Sequence, residues 1–115
     1  MTVTILHNPR CSKSRATLAL LQERGIEPEV LLYLEQPPGT SELRSIIQLL
    51  GVDVRSIIRK GEAEYRDLGL DNDNLDDDQL IQAMTSHPRL IERPIVITNG
   101  KAAIGRPPEA VLDIL

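Results

Sequence analysis

Apolar positions recur along this chain with more than one period, and the changes between periods mark its elements. Leu43, Ile46, Ile47 and Leu50 fall at i, i+3, i+4 and i+7, the spacing of one face of an α-helix. Thr40 or Ser41 stands where an N-cap belongs, after the loop Gln36-Pro37-Pro38-Gly39, and Gly51 stands where the helix should stop. Val3 to His7 is nearly continuous apolar sequence and predicts a strand buried on both faces. A helix is expected from about Ser12 to Arg24, with Ala16, Leu18, Ala19, Leu20 and Leu21 as its apolar surface and Gly25 as a left-handed cap. Glu29 to Leu34 predicts a second strand, and strand, helix, strand of this length makes a parallel crossover unit.

Beyond Gly51 a short helix is expected at Val54 to Arg59, and Lys60 to Asn74 reads as polar, turn-rich chain. Asp76 with Gln79 matches a capping box ahead of Leu80, Ile81 and Met84, and Pro88 limits how far that helix can run. Ile95 to Thr98, Asn99-Gly100 and Lys101 to Ile104 predict a hairpin, because Asn-Gly suits a turn that needs positive φ at both central residues. Pro107-Pro108 should start a last helix that uses Val111, Leu112 and Leu115. Strand-helix-strand followed by strand-strand-helix is an α/β arrangement: a thioredoxin-like mixed four-stranded sheet with an inserted helical block. We expect a single domain over residues 1–115, with the helical insertion at about 40–90.

Composition narrows the function classes. The chain has 115 residues, of which 41% are hydrophobic, with no Trp, no Phe and two Tyr, so stacking on nucleobases is not expected. A net charge of -4 argues against general affinity for nucleic acid or an anionic membrane. The N-terminus lacks the charged and apolar regions of a signal peptide, and no run of about 18 apolar residues is present to span a membrane. One cysteine forbids an internal disulfide and leaves no CxxC pair, so redox chemistry would need a second thiol from outside. A cytoplasmic setting and a monomer are the expectations.

Cys11 is placed where the first strand gives way to the first helix, where unpaired backbone N–H groups and the helix dipole favour a thiolate. His7, Arg10, Lys13 and Arg15 add potential positive charge, with no acid among them. The reading is a thiolate nucleophile that meets an anionic substrate; the bland alternative is a small buried hydrophobe. Lower basicity offsets much of what ionisation gains, so most of the rate must come from holding the electrophile. Arg93 precedes the third strand and Arg106 follows the fourth, so the hairpin should bring them together. Arg59 ends the Ile57-Ile58 segment and could reach the same place. Two or three guanidinium forks suit a tetrahedral oxyanion, although each is also one of ten arginines that could be plain surface. His7 is either a helper of Cys11 or a strand-end histidine satisfied by backbone; His87 reads as structural. A low-molecular-weight phosphatase loop fails because Thr17 stands where its arginine is needed. An EF-hand fails at Leu75 and Asp76, and a P-loop fails at Ile95, so no metal site is expected.

The chain resembles the glutaredoxin-dependent arsenate reductase family, in particular its short single-cysteine bacterial members. The resemblance is carried by His7-Asn8-Pro9-Arg10-Cys11-Ser12-Lys13-Ser14-Arg15, Tyr33-Leu34-Glu35, Ile57-Ile58-Arg59-Lys60, Glu92-Arg93-Pro94-Ile95-Val96 and Gly105-Arg106-Pro107-Pro108-Glu109. It implies a cis peptide before Pro94, attack of Cys11 on arsenate, oxyanion binding by Arg59, Arg93 and Arg106, and help from His7 in keeping the thiolate. It also implies glutathione as co-substrate, with no bound cofactor: glutathione attacks the cysteine-bound arsenic, glutaredoxin reduces the mixed disulfide, and arsenite leaves. Two other readings stay open. A redox-sensitive regulator that binds RNA polymerase, of the Spx type, usually carries CxxC, whereas Ser14 holds the second position here. A monothiol thiol-disulfide oxidoreductase would use Cys11 but leave the three arginines without a dianion.

Overall fold

The computed structural model describes residues 2–115. Four strands, β1 (Thr4–Leu6), β2 (Glu29–Leu31), β3 (Ile95–Thr98) and β4 (Lys101–Ile104), form one sheet in the order β2-β1-β3-β4. β1 pairs with β2 in parallel and with β3 antiparallel, and β3 pairs with β4 antiparallel. With α1 (Ser12–Glu23) between β1 and β2, this is the thioredoxin-like mixed sheet. The hairpin turn forms as its two residues dictate, with φ of 55° at Asn99 and 70° at Gly100. β1 and β2 are shorter than the apolar runs suggested. Past Leu31 the chain turns, and the N–H groups of Glu35 and Gln36 both donate to the Leu32 carbonyl instead of to the sheet.

The chain divides into two compact units, residues up to 36 with 93–115, and residues 37–92. In the first, Val3, Ile5, Leu21, Val96 and Val111 form a core flanked by Leu18, Leu20, Ile26 and Ile114. α1 departs from its expected apolar surface: Ala16 and Ala19 are exposed, and the fully buried line is Ser14, Thr17 and Leu21. Those positions sit at i, i+3 and i+7 from Ser14, so the helix does turn one face inward; two of its residues are polar. The closing segment is 3₁₀ throughout, Pro108–Ile114, with only Val111 fully buried.

The second unit holds α2 (Thr40–Leu50), α3 (Ala63–Asp67) and α4 (Asp77–Ser86). α2 buries Leu43, Ile46 and Ile47, and α4 buries Leu80, Ile81 and Met84, as their spacing requires. The capping box on α4 is complete: Gln79 N–H donates to Asp76 at 2.8 Å, and Asp76 N–H donates to the Gln79 side chain at 2.9 Å. On α2 the N-cap is Gly39, not Thr40 or Ser41, and no side chain caps it. The Val54 helix is a 3₁₀ turn ending at Ile57, and α3 is a short helix inside what the composition suggested was irregular chain. Ile58 and Ile91 make an isolated antiparallel bridge, flanked by Arg59 N–H to Leu90 O and Glu92 N–H to Ile57 O, each 2.7 Å.

Candidate active site

Cys11 is the N-cap of α1, with extended φ and ψ of -94° and 123°, and its side chain makes no capping bond. The loop that delivers it is tied at several points. Cys11 N–H donates to Asn8 O, Arg10 N–H to the Asn8 side chain, and Arg15 Nη1 to Pro9 O, each at 3.0 Å. Arg15 is therefore spent partly on the loop. Cys11 is 8% exposed, and the group beside its sulfur is a cation: Arg106 Nη2 lies 3.8 Å from Sγ. An anion formed on that sulfur has a charge-assisted partner in place.

Arg106 is held from behind. Its Nε donates to the Arg93 carbonyl at 2.8 Å. The register Ile95 opposite Ile104 explains this, since the residues flanking the open end of a hairpin lie side by side. Arg93 and Arg106 are thus brought together as the hairpin predicted, and the Arg93–Pro94 bond is cis. A second cis bond, Arg106–Pro107, had no signal in the pattern. Between the arginines, Gly105 N–H donates to Pro94 O at 2.9 Å. A Cβ added at Gly105 would stand 2.4 Å from Thr17 Oγ1 and 2.8 Å from Pro94 Cγ. Sequence reasoning quoted Gly105 and Thr17 but gave neither a role in the site. Only the packing of β4's end against α1 and Pro94 reveals that this position admits no side chain.

His7 is buried and bonds to a buried hydroxyl: its Nδ1 lies 2.6 Å from Ser14 Oγ, which also accepts from Asn8 N–H at 3.0 Å. Burial, and then the positive charge of Arg15, hold the His7 pKa below its ordinary value. A ring held toward its neutral form is a weaker source of positive charge than an ordinary imidazole. What it supplies is a tie to Ser14 across the loop that carries Cys11. The role of Ser14 as partner of His7 was not foreseen, although a serine three residues into a helix, on the line of Thr17 and Leu21, was the available signal.

This arrangement has a pH consequence. Because the folded chain resists protonating His7, the unfolded chain takes up that proton first, below about pH 6.5, and folding weakens as pH falls. Above that value both states are neutral at His7, and its contribution to stability is fully present. Urea unfolding at pH 7.5 and 5.0 should show a larger loss for wild type than for His7→Gln. Equal losses would remove His7 from the acid response.

Arg59 belongs to the helical unit, where Glu62 accepts from its Nη1. Among the described residues no three His, Cys, Asp or Glu gather as a metal site, and no helix is long and apolar enough to cross a membrane. The chemistry this geometry allows is nucleophilic attack by sulfur on an anion that a fixed guanidinium can neutralise.

The family model described as the ArsC family matches residues 6–114. An arsenate reductase of Haemophilus influenzae is 53% identical over 116 residues, covering 100% of both chains. An uncharacterised protein of Escherichia coli strain K12 is 54% identical over 114 residues, covering 98% of this chain and 96% of that one. A solved structure, an arsenate reductase from Vibrio cholerae, superposes with a TM-score of 0.98 at 54% identity, covering 100% of this chain and 98% of that one.

Proposed function

Since the chain belongs to the ArsC family, we propose that it reduces arsenate to arsenite with Cys11 as nucleophile and external thiols as reductant. The observation that carries the reading is the Arg106 guanidinium, anchored on the Arg93 carbonyl and presented 3.8 Å from the Cys11 sulfur. Relatives named arsenate reductase at about half identity over their full length support the choice of substrate.

In this reading Arg106, Arg93 and Arg59 gather the dianion, and the Cys11 thiolate attacks arsenic(V). An arsenate oxygen leaves as water, and arsenic keeps its oxidation state in the thiol adduct. Glutathione adds its sulfur across an As=O bond of the adduct, its thiol proton passing to that oxygen, so no group leaves and arsenic stays at (V). Coupling of the two sulfurs into a Cys11–glutathione disulfide leaves the electron pair on arsenic, which departs as arsenite, arsenic(III). A glutaredoxin thiolate then attacks the glutathione sulfur of that disulfide, carrying glutathione off as its own mixed disulfide and releasing Cys11 as the thiol. His7, through Ser14, keeps the Cys11 loop in register for the attack. Nothing in this cycle calls for a bound cofactor, and the single cysteine explains the need for borrowed thiols. The setting we propose is the reducing cytoplasm, and the active form a monomer.

Purified protein with arsenate, glutathione and glutaredoxin should produce arsenite, and omission of either thiol component should stop multiple turnover. Mass spectrometry after one turnover without glutaredoxin should find glutathione on Cys11. Absence of arsenite with every component present overturns the reading.

A further inference from the structure

Arg59 is held at both ends. Its N–H donates to Leu90 O at 2.7 Å, and its carbonyl accepts from Glu62 N–H at 3.2 Å, closing a turn. The turn carries the Glu62 side chain back to Arg59. Oε1 accepts from Arg59 Nη1 at 2.5 Å, and Oε2 accepts from Arg89 Nη2 at 3.3 Å. The side chains of Glu62, Arg59 and Arg89 are 16%, 28% and 66% exposed, so the carboxylate is the least solvated of the three. An ion pair at that depth is screened less than one on the open surface. Arg89 also approaches Glu64, at 3.9 Å.

A guanidinium offers two edges for bidentate binding. With Nη1 taken by Glu62, the Nε–Nη2 edge remains for an oxyanion. We propose that Glu62 is the positioning residue of Arg59, setting which edge of the guanidinium is presented. The inference rests on the arsenate reading above, in which Arg59 is an oxyanion ligand. An untethered arginine samples many rotamers, and an anion that binds it must freeze them. Glu62 does this before the anion arrives. Its charge also opposes an incoming anion; Arg89, 3.3 Å from Oε2, offsets part of that charge, and the sign of the KM change in Glu62→Ala reads which effect is larger.

Glu62→Ala should raise the arsenate KM about tenfold, with kcat within about twofold and the KM for glutathione unchanged. Glu62→Gln keeps an acceptor for Nη1 and should recover part of the loss. In an Arg59→Ala background, Glu62→Ala should add nothing, because no guanidinium is left to position. A merely structural role would lower the melting temperature and act equally in both backgrounds. An unchanged or lower KM in Glu62→Ala, or additivity with Arg59→Ala, overturns the inference. Wild type that makes no arsenite overturns the arsenate reading and this inference with it. Impairment by Arg59→Ala but not by Glu62→Ala overturns this inference alone.

Discussion

Cys11→Ser should abolish arsenite formation while leaving the protein at least as stable as wild type. The loss follows from both halves of the proposed cycle. A serine hydroxyl is not ionised near neutral pH as a thiol can be, and oxygen cannot form the disulfide through which the electron pair reaches arsenic. Losing a lone nucleophile commonly costs on the order of 10⁴- to 10⁶-fold, which would put the variant at background. The stability half follows from the backbone. Cys11 is an N-cap in extended conformation with no side-chain capping bond, and serine is among the preferred residues there because its oxygen accepts from a first-turn N–H. A gain of about 0.5–1 kcal/mol, or a few degrees in Tm, is expected. Calorimetry and an arsenite assay on the same preparation check both halves. Arsenite formation undiminished in a folded variant would remove Cys11 from the mechanism, whereas a collapse in Tm would show the sulfur to be a packing element.

Gly105→Ala should destabilise the fold and impair arsenate binding together. Its Cβ would lie 2.4 Å from Thr17 Oγ1, 3.2 Å from Thr17 Cγ2 and 2.8 Å from Pro94 Cγ. Neither neighbour yields easily. Thr17 is fully buried and its hydroxyl donates to Lys13 O at 2.8 Å, while Pro94 is a closed ring. Overpacking of this kind costs about 1–3 kcal/mol, which for a chain of this size is several degrees in Tm. The backbone must shift, and the next residue is Arg106. A displacement of even about 1 Å takes a positioned group off its target and can cost on the order of 100-fold. Thr17→Ala removes two of the three close atoms, so Gly105→Ala should cost less on that background than in wild type. A wild-type Tm and arsenate KM for Gly105→Ala would show that the strand end accommodates a methyl group.

The two substitutions differ in how visible they were beforehand. Cys11 stood out because it is the chain's only cysteine and lies at a strand-to-helix junction, both properties of the local string. Arg93 and Arg106 were legible one step further away, through a hairpin whose Asn-Gly turn sets the register. Gly105 had no such signal. Its φ is not positive, and its constraint comes from a helix some ninety residues earlier. Glu62 fell in chain read as irregular, and its approach to Arg59 depends on a turn that the polar composition of the segment hid. His7 was equally open to two readings until Ser14 was found beside it.

What the sequence determined alone is whatever a short window can decide. The 3.6-residue spacing of α2, the capping box of α4, the Asn-Gly hairpin and the order of elements depend on neighbours within a few positions, where the backbone's own geometry sets the outcome. The tertiary structure decided which faces were shared. It chose Ser14 and Thr17 over Ala16 and Ala19 for burial in α1, because their hydroxyls bond to the His7 ring, Asn8 N–H and the Lys13 carbonyl. It also anchored Arg106 on Arg93 and aimed it at the Cys11 sulfur, a contact between residues 95 positions apart that no local periodicity encodes.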